Sequence, residues 1–305
     1  MSVHVAAYAA AASLDQDDEA ALYAGLAGLG VAGLEQPFFG SLHRRDEGWL
    51  LGRLRPEWTF ALTLLPGVMD RLKENKRFGL ASSDKDGRSR ALDFAESARR
   101  AVERLNLRMG RPAVLAVELH SAPRLADGAA SSIESFADSL SQLRRLDWLG
   151  ATLLVEHCDA AVLGHKPDKG FMRLEDEFAA SALSTGPTPV RIAINWGRSA
   201  LETRSAQGPL EHLSLAAEAR LLGGLFFSGV TTSHPDYGCW KDSHAPFSTR
   251  CPASLLTPAA AKAALAAAPG YPIIGLKLQT LPHTLSVPQR LAMIGDGLTQ
   301  LRACA

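Results

Sequence analysis

Eight apolar runs punctuate this chain, and each is followed by a polar or helix-like stretch. They begin at Val3, Val31, Trp58, Ala113, Ala151, Pro189, Gly224 and Pro272, roughly 25 to 55 residues apart. Such spacing leaves room for a crossover helix between strands, which parallel neighbours require. Eight strand–helix units in a row favour a closed (β/α)8 TIM barrel over an open doubly wound sheet. No Gly-rich phosphate loop leaves any of the runs. The segment Gly25-Leu26-Ala27-Gly28-Leu29-Gly30 has reversed glycine spacing and enters a strand instead. A nucleotide-binding sheet is therefore disfavoured.

The expected order follows the chain. Val3–Ala9 is the first strand, with Tyr8 near its end, and Glu19–Leu29 is a helix closed by Gly30. Val31–Phe38 is the second strand, a short helix lies in Ser41–Pro56, and Trp58–Leu65 is the third strand, stopped by a Pro66-Gly67 turn. A long polar βα loop over residues 66–90 precedes a helix at about Ala91–Leu107. Ala113–Leu119 and the stretch Ala151–Asp159 are strands four and five, with a helix between them capped by Ser131 or Ser132. A helix at Leu174–Leu183 leads to strand six, Pro189–Asn195, which exits through Trp196-Gly197-Arg198-Ser199-Ala200. A helix at Pro209–Leu222 follows, then strand seven, Gly224–Val230, and a second long loop over 231–256. A helix at Thr257–Ala268, strand eight at Pro272–Gln279 and a helix at Val287–Arg302 close the series. The whole chain, 1–305, is expected to be one barrel domain.

Charge narrows the partners. Lys plus Arg number 32 and Asp plus Glu number 32, so no global field attracts nucleic acid or an anionic membrane. No apolar run approaches the ~18 residues that span a bilayer. The N-terminus lacks the basic region of a secretory signal, and Cys158, Cys239, Cys251 and Cys304 show no CxxC spacing. A cytoplasmic protein with reduced thiols and no structural zinc site is the expectation.

Barrel enzymes work at the C-terminal ends of their strands. Here those ends carry Tyr8, Glu35, Gln36, Glu118, His120, Glu156, His157, Asp159, Asn195, Arg198, Ser228, Lys277 and Gln279. Side chains alternate along a strand, so Glu118 and His120 share a face, as do Glu156 and Cys158, and Lys277 and Gln279. One carboxylate at the end of an apolar strand is commonly held by a structural ion pair, whereas charged ends on several strands together point to a pocket. The loop His234-Pro235-Asp236-Tyr237-Gly238-Cys239-Trp240-Lys241-Asp242-Ser243-His244 is rich in groups that stack on and hydrogen-bond sugars, and is expected to cover the mouth. His165 and His212 are expected at the surface, and Arg99, Arg100 and Arg104 on a solvated helix face.

These strand ends resemble those of the xylose-isomerase-like barrels, which include sugar isomerases, sugar-phosphate epimerases and related endonucleases. Gly30-Val31-Ala32-Gly33-Leu34-Glu35 is similar to that superfamily's second-strand motif, and Leu153-Leu154-Val155-Glu156 to its fifth-strand glutamate. The longer pattern EHCD…KGF…INWGRSA…FSG…YGxWxDxH resembles an uncharacterised bacterial branch of the superfamily. The resemblance implies a divalent metal held by residues from strands five to eight, for which Glu156, Asn195, His234 and Gln279 are the candidates. It also implies departures. Asn195 and Gln279 stand where the superfamily has carboxylates, and strand seven ends in Ser228 with its nearest histidine, His234, in the loop beyond. A set with Glu156 as its one anion suits hard divalent cations poorly. No cofactor is assigned.

The function this implies is isomerisation or epimerisation of a sugar or sugar acid by proton transfer beside a carbonyl. Glu156 would be the base and Glu118 or His120 the partner acid. Lys277 is expected to polarise a carbonyl, bind an anion or form an imine. Tyr8, Glu35, His157, Asn195, Arg198, His234, Trp240 and Gln279 are the expected substrate contacts. The alternatives are a metal-free lyase or hydrolase on a carbohydrate, and a sugar-binding barrel without catalysis. Endonuclease activity does not suit a chain without a basic footprint.

Overall fold

The computed structural model describes residues 1–270 and 272–305. Its strands are β1 (His4–Val5), β2 (Gly33–Pro37), β3 (Thr59–Thr63), β4 (Val114–Leu119), β5 (Thr152–His157), β6 (Val190–Asn195), β7 (Leu222–Phe227) and β8 (Ile273–Leu276). They close in sequence order into a parallel barrel, β8 pairing back to β1 with Val5 opposite Leu276. The fold is the (β/α)8 barrel that the spacing of the apolar runs predicts.

The helices are α1 (Ala7–Ala10), α2 (Gln16–Gly28), α3 (Glu47–Leu51), α4 (Leu65–Glu74), α5 (Lys85–Met109), α6 (Ile133–Arg144), α7 (Leu174–Leu183), α8 (Trp196–Thr203), α9 (Gly208–Glu218), α10 (Pro258–Ala266) and α11 (Val287–Cys304). Local chemistry sets their starts. The Asp15 carboxylate accepts from the backbone N–H groups of Asp17 and Asp18, Ser132 caps α6, and Thr257 caps α10 with Pro258 at its first position. Among the described residues no helix is long and apolar enough to cross a membrane.

Several boundaries differ from the expectation. The first strand is two residues long, because the alanine-rich segment after Val5 turns into α1, so Tyr8 is helical. Pro66-Gly67 does not end a strand in a turn; Pro66 lies in the first turn of α4, where its missing N–H costs nothing. The stretch 66–90 is accordingly mostly helix, with α5 starting at Lys85. Residues 196–200 also form helix rather than a loop, since the Asn195 side chain accepts from the Arg198 N–H and caps α8.

The chain packs as two compact units. One comprises 1–35, 53–59 and 194–305. In it α2 and α10 pack against α11, and Arg290, 1% exposed, donates to the carbonyls of Ala10, Ala12, His283 and Leu285. Gly275 has no side chain, and a Cβ there would run into the Phe226 ring. The other unit comprises 36–52 and 60–193. Its core joins β3, β4 and β5 in register, Thr63 opposite Glu118 and Leu119 opposite Val155, under α5, α6 and α7. Arg104 does not lie on a freely solvated face; it forms a 2.5 Å ion pair with Glu47.

Candidate active site

The second unit carries the denser group of functional side chains. β4 and β5 are registered so that the residues just after Leu119 and Val155 stand side by side. His120 Nε2 lies 2.8 Å from Glu156 Oε2, and neither side chain has any exposure. A carboxylate oxygen of Glu118 comes within 4.8 Å of one from Glu156, and the Cys158 sulfur lies within 4.8 Å of both the His120 and Glu156 donor atoms. Glu118 and His120 project from one face of β4, and Glu156 and Cys158 from one face of β5, as the period of two requires. All four are buried.

His157 points to the opposite face. Its Nδ1 stands 2.8 Å from Glu177 Oε2, while the Ser121 hydroxyl donates to Glu177 Oε1 at 2.5 Å. This buried Ser–Glu–His chain ties the exits of β4 and β5 to α7. Asp159 Oδ2 accepts from the backbone N–H groups of Asp168 and Lys169 and so pins the loop that leaves β5. Gln36 donates to the carbonyls of Pro37 and Leu42 and has a structural part.

The first unit also holds functional side chains. The Lys277 ammonium and the Glu35 carboxylate form an ion pair with no exposure on either side chain. The Tyr8 hydroxyl donates to Glu35 Oε1 at 3.3 Å, and the Lys277 nitrogen lies about 6 Å from the ring centroids of Tyr8 and Phe226. Lys277 and Glu35 were each expected in the site; what the chain does with them is join them. Asn195 Oδ1 accepts from the Ser228 hydroxyl at 2.8 Å as well as from the Arg198 N–H. A Cβ on Gly197 would collide with Ser228, so glycine permits this close contact. Arg198 is buried, and its Nε donates to Asp242 Oδ2 at 3.0 Å, while Asp242 Oδ1 lies 3.2 Å from His244 Nδ1.

The loop over 231–256 is anchored by its aromatic residues. Tyr237 is buried with Ala245 and Cys251 and donates to the Gln279 carbonyl at 3.0 Å. Burial pushes its hydroxyl up to about 12. Trp240 is half-buried under the Arg204 guanidinium, 5.0 Å from the ring centroid. His234, also half-buried, accepts through Nδ1 from the N–H groups of Asp236 and Tyr237. His212 is not at the surface as expected: it is buried, with Nδ1 3.0 Å from Ser199 Oγ, and His165 is half-buried.

The metal set implied by the resemblance does not fit these residues. Asn195 Oδ1 is occupied by two donors, His234 Nδ1 serves its own loop, and Gln279 is a half-buried neutral amide beside a cationic Lys277. Hard divalent cations require carboxylate charge that these three positions lack.

Cys158, Ser121, Glu177, Ser228 and Asp242 were not among the expected contacts. Cys158 carried a signal in its shared face with Glu156, Ser228 in its place at the end of strand seven and Asp242 in the covering loop; Ser121 and Glu177 meet only because α7 packs beside the strand ends.

Comparison with other proteins agrees with this architecture. The chain is 36% identical over 276 residues to Uncharacterized protein STM3670 of Salmonella typhimurium (strain LT2), covering 89% of this chain and 86% of that one. Its fold is similar to D-psicose 3-epimerase, with a TM-score of 0.61, 12% identity and 99% of each chain covered. It is also similar to a sugar phosphate isomerase/epimerase from Parabacteroides distasonis, with a TM-score of 0.57, 11% identity, and 98% and 96% of the two chains covered. These likenesses show a shared barrel fold. Residues 4–293 match the family model described as Domain of unknown function (DUF4862), and the chain belongs to that family.

Proposed function

We propose that the protein is an isomerase or epimerase of a sugar or sugar-derived acid, moving a proton at a carbon beside a carbonyl. The observation that carries this reading is the His120–Glu156 contact, 2.8 Å long and fully buried at the ends of β4 and β5. A carboxylate and an imidazole that share a proton away from water can take one from a carbon and return one to it. Glu156 is the base and His120 its partner, with the Glu118 carboxylate within 4.8 Å of Glu156 as the second acid. The Ser121–Glu177–His157 chain is a positioning device, fixing the strand exit on which Glu156 and Cys158 sit.

Lys277, held by Glu35 and set over Tyr8, offers an ammonium suited to a sugar oxygen or carboxylate. Asn195 and Arg198 act through neighbours, one capping α8 and the other holding the 231–256 loop by Asp242. The names of the two similar structures, an epimerase of psicose and a sugar phosphate isomerase/epimerase, support the substrate class. A thiol beside the pair suits the reducing cytoplasm. One feature favours a sugar-binding barrel without catalysis: Asn195 and Gln279 are neutral amides at positions where the resemblance implies two anions.

The test is a screen of ketoses, aldoses, sugar phosphates and sugar acids for interconversion, with ligand-induced thermal stabilisation measured in parallel. Turnover of one class, lost in Glu156→Gln, is expected. Stabilisation by a sugar with no product formed would favour the binding protein instead.

A further inference from the structure

Glu118 and Glu156 are both buried with no exposure, and a carboxylate oxygen of one lies within 4.8 Å of one from the other. Beside them stand an imidazole and a thiol, and one donor atom each from His120, Glu156 and Cys158 lie within 4.8 Å of one another. Nitrogen, oxygen and sulfur donors together do not suit Mg²⁺ or Ca²⁺, which take oxygen alone; they suit a borderline cation. We propose that His120, Glu156 and Cys158 form a binding site for a divalent cation of the Zn²⁺ class, with Glu118 adding negative charge alongside.

The geometry needs only small adjustments. Tetrahedral zinc with bonds of about 2.0–2.3 Å sets neighbouring donors roughly 3.4–3.6 Å apart. His120 Nε2 and Glu156 Oε2 are at 2.8 Å, so they part by somewhat over half an ångström, and Cys158 closes in by rotation about its side chain. Binding displaces the proton shared by His120 and Glu156 and the Cys158 thiol proton, since imidazole and thiolate ligate in their deprotonated forms. Three protein donors are the number a catalytic zinc site uses, the fourth position belonging to water or substrate. The cysteine spacing gave no sign of this, because the ligands come from two strands rather than from a CxxC turn.

The proposal rests on the same Glu156 as the proposed proton transfer, but the two can be separated. Chelator-treated full-length protein is titrated with Zn²⁺ by calorimetry and with Co²⁺ by absorption. One equivalent of each and a thiolate-to-cobalt charge-transfer band are expected. Cys158→Ser should lose the band and bind Zn²⁺ at least tenfold more weakly, while Cys251→Ser should change neither. X-ray absorption of the zinc-loaded unsubstituted protein should show one sulfur at about 2.3 Å, a result that needs no variant to fold. Absence of stoichiometric uptake, a cobalt spectrum without the thiolate band, or a zinc shell without sulfur would each overturn the site. Zinc uptake without turnover of any sugar would overturn the isomerase reading and leave the site standing; turnover in protein that takes up no zinc would do the reverse.

Discussion

His120 and Glu156 face each other at 2.8 Å across the exits of β4 and β5, with no solvent on either side chain. Removing one partner strands the other's polar atoms in a low-dielectric interior. His120→Ala is therefore expected to lower the unfolding free energy by about 3 kcal/mol. His120→Gln, which can still donate to the carboxylate, should cost nearer 1 kcal/mol. Urea denaturation of both variants measures the difference.

Lys277 and Glu35 are a buried ion pair of the costly kind. Lys277→Met alone takes the ammonium from the buried Glu35 carboxylate and should destabilise by about 3–5 kcal/mol. The double variant Glu35→Leu with Lys277→Met should recover most of that loss, because two apolar side chains remove both charges together. A double-mutant cycle by chemical denaturation checks it. Additive losses would mean that the two charges do not support each other.

Arg198 and Asp242 connect α8 to the 231–256 loop, and Asp242 also meets His244. Asp242→Asn takes the Asp242 counter-charge from the buried guanidinium. We expect a loss of about 3 kcal/mol and faster proteolysis within residues 231–256, read by limited digestion and mass spectrometry. Tyr237→Phe, which removes the donor to the Gln279 carbonyl, should cost about 1 kcal/mol and open the same loop less.

His4 gives the fold a pH dependence. Burial lowers its pKa to about 4, against an opposing backbone hydrogen bond with Ile274, and Nε2 lies 2.8 Å from Thr59 Oγ1. The unfolded chain, with an ordinary histidine near 6.5, binds the proton more readily than the folded one between these values. Stability therefore rises with pH across that window and is lost on acidification, by an amount of order 3 kcal/mol for this residue. Comparing unfolding at pH 7 and pH 4.5 for the native chain and for His4→Asn isolates the contribution. The variant should show the smaller drop.

The barrel was legible in the chain because each buried parallel strand is a continuous apolar run, and eight such runs leave little choice of topology. The ends of the runs were less so. Val3–Ala9 is apolar throughout, but its alanines favour helix after two strand residues. Asn195 is a capping residue type and caps α8, so the exit of strand six through Trp196–Ala200 is helical from its first residue. Within the site, alternation along a strand correctly paired Glu118 with His120 and Glu156 with Cys158. Which pair meets which depends on the register of β4 on β5, and no residue pattern announces that. His212 looked like a surface residue because the Ser199 that holds it comes from a different helix.

The central claim is that Glu156 moves a proton at carbon. It is tested most directly by incubating the protein in D₂O with the sugar that turns over in the screen and following the carbons beside the carbonyl by NMR. The account predicts deuterium at one such carbon with the native chain, and a rate at least a hundredfold lower with Glu156→Gln, in line with the loss of a positioned base. Exchange that proceeds undiminished in folded Glu156→Gln, or turnover without any deuterium entering the product, would contradict it.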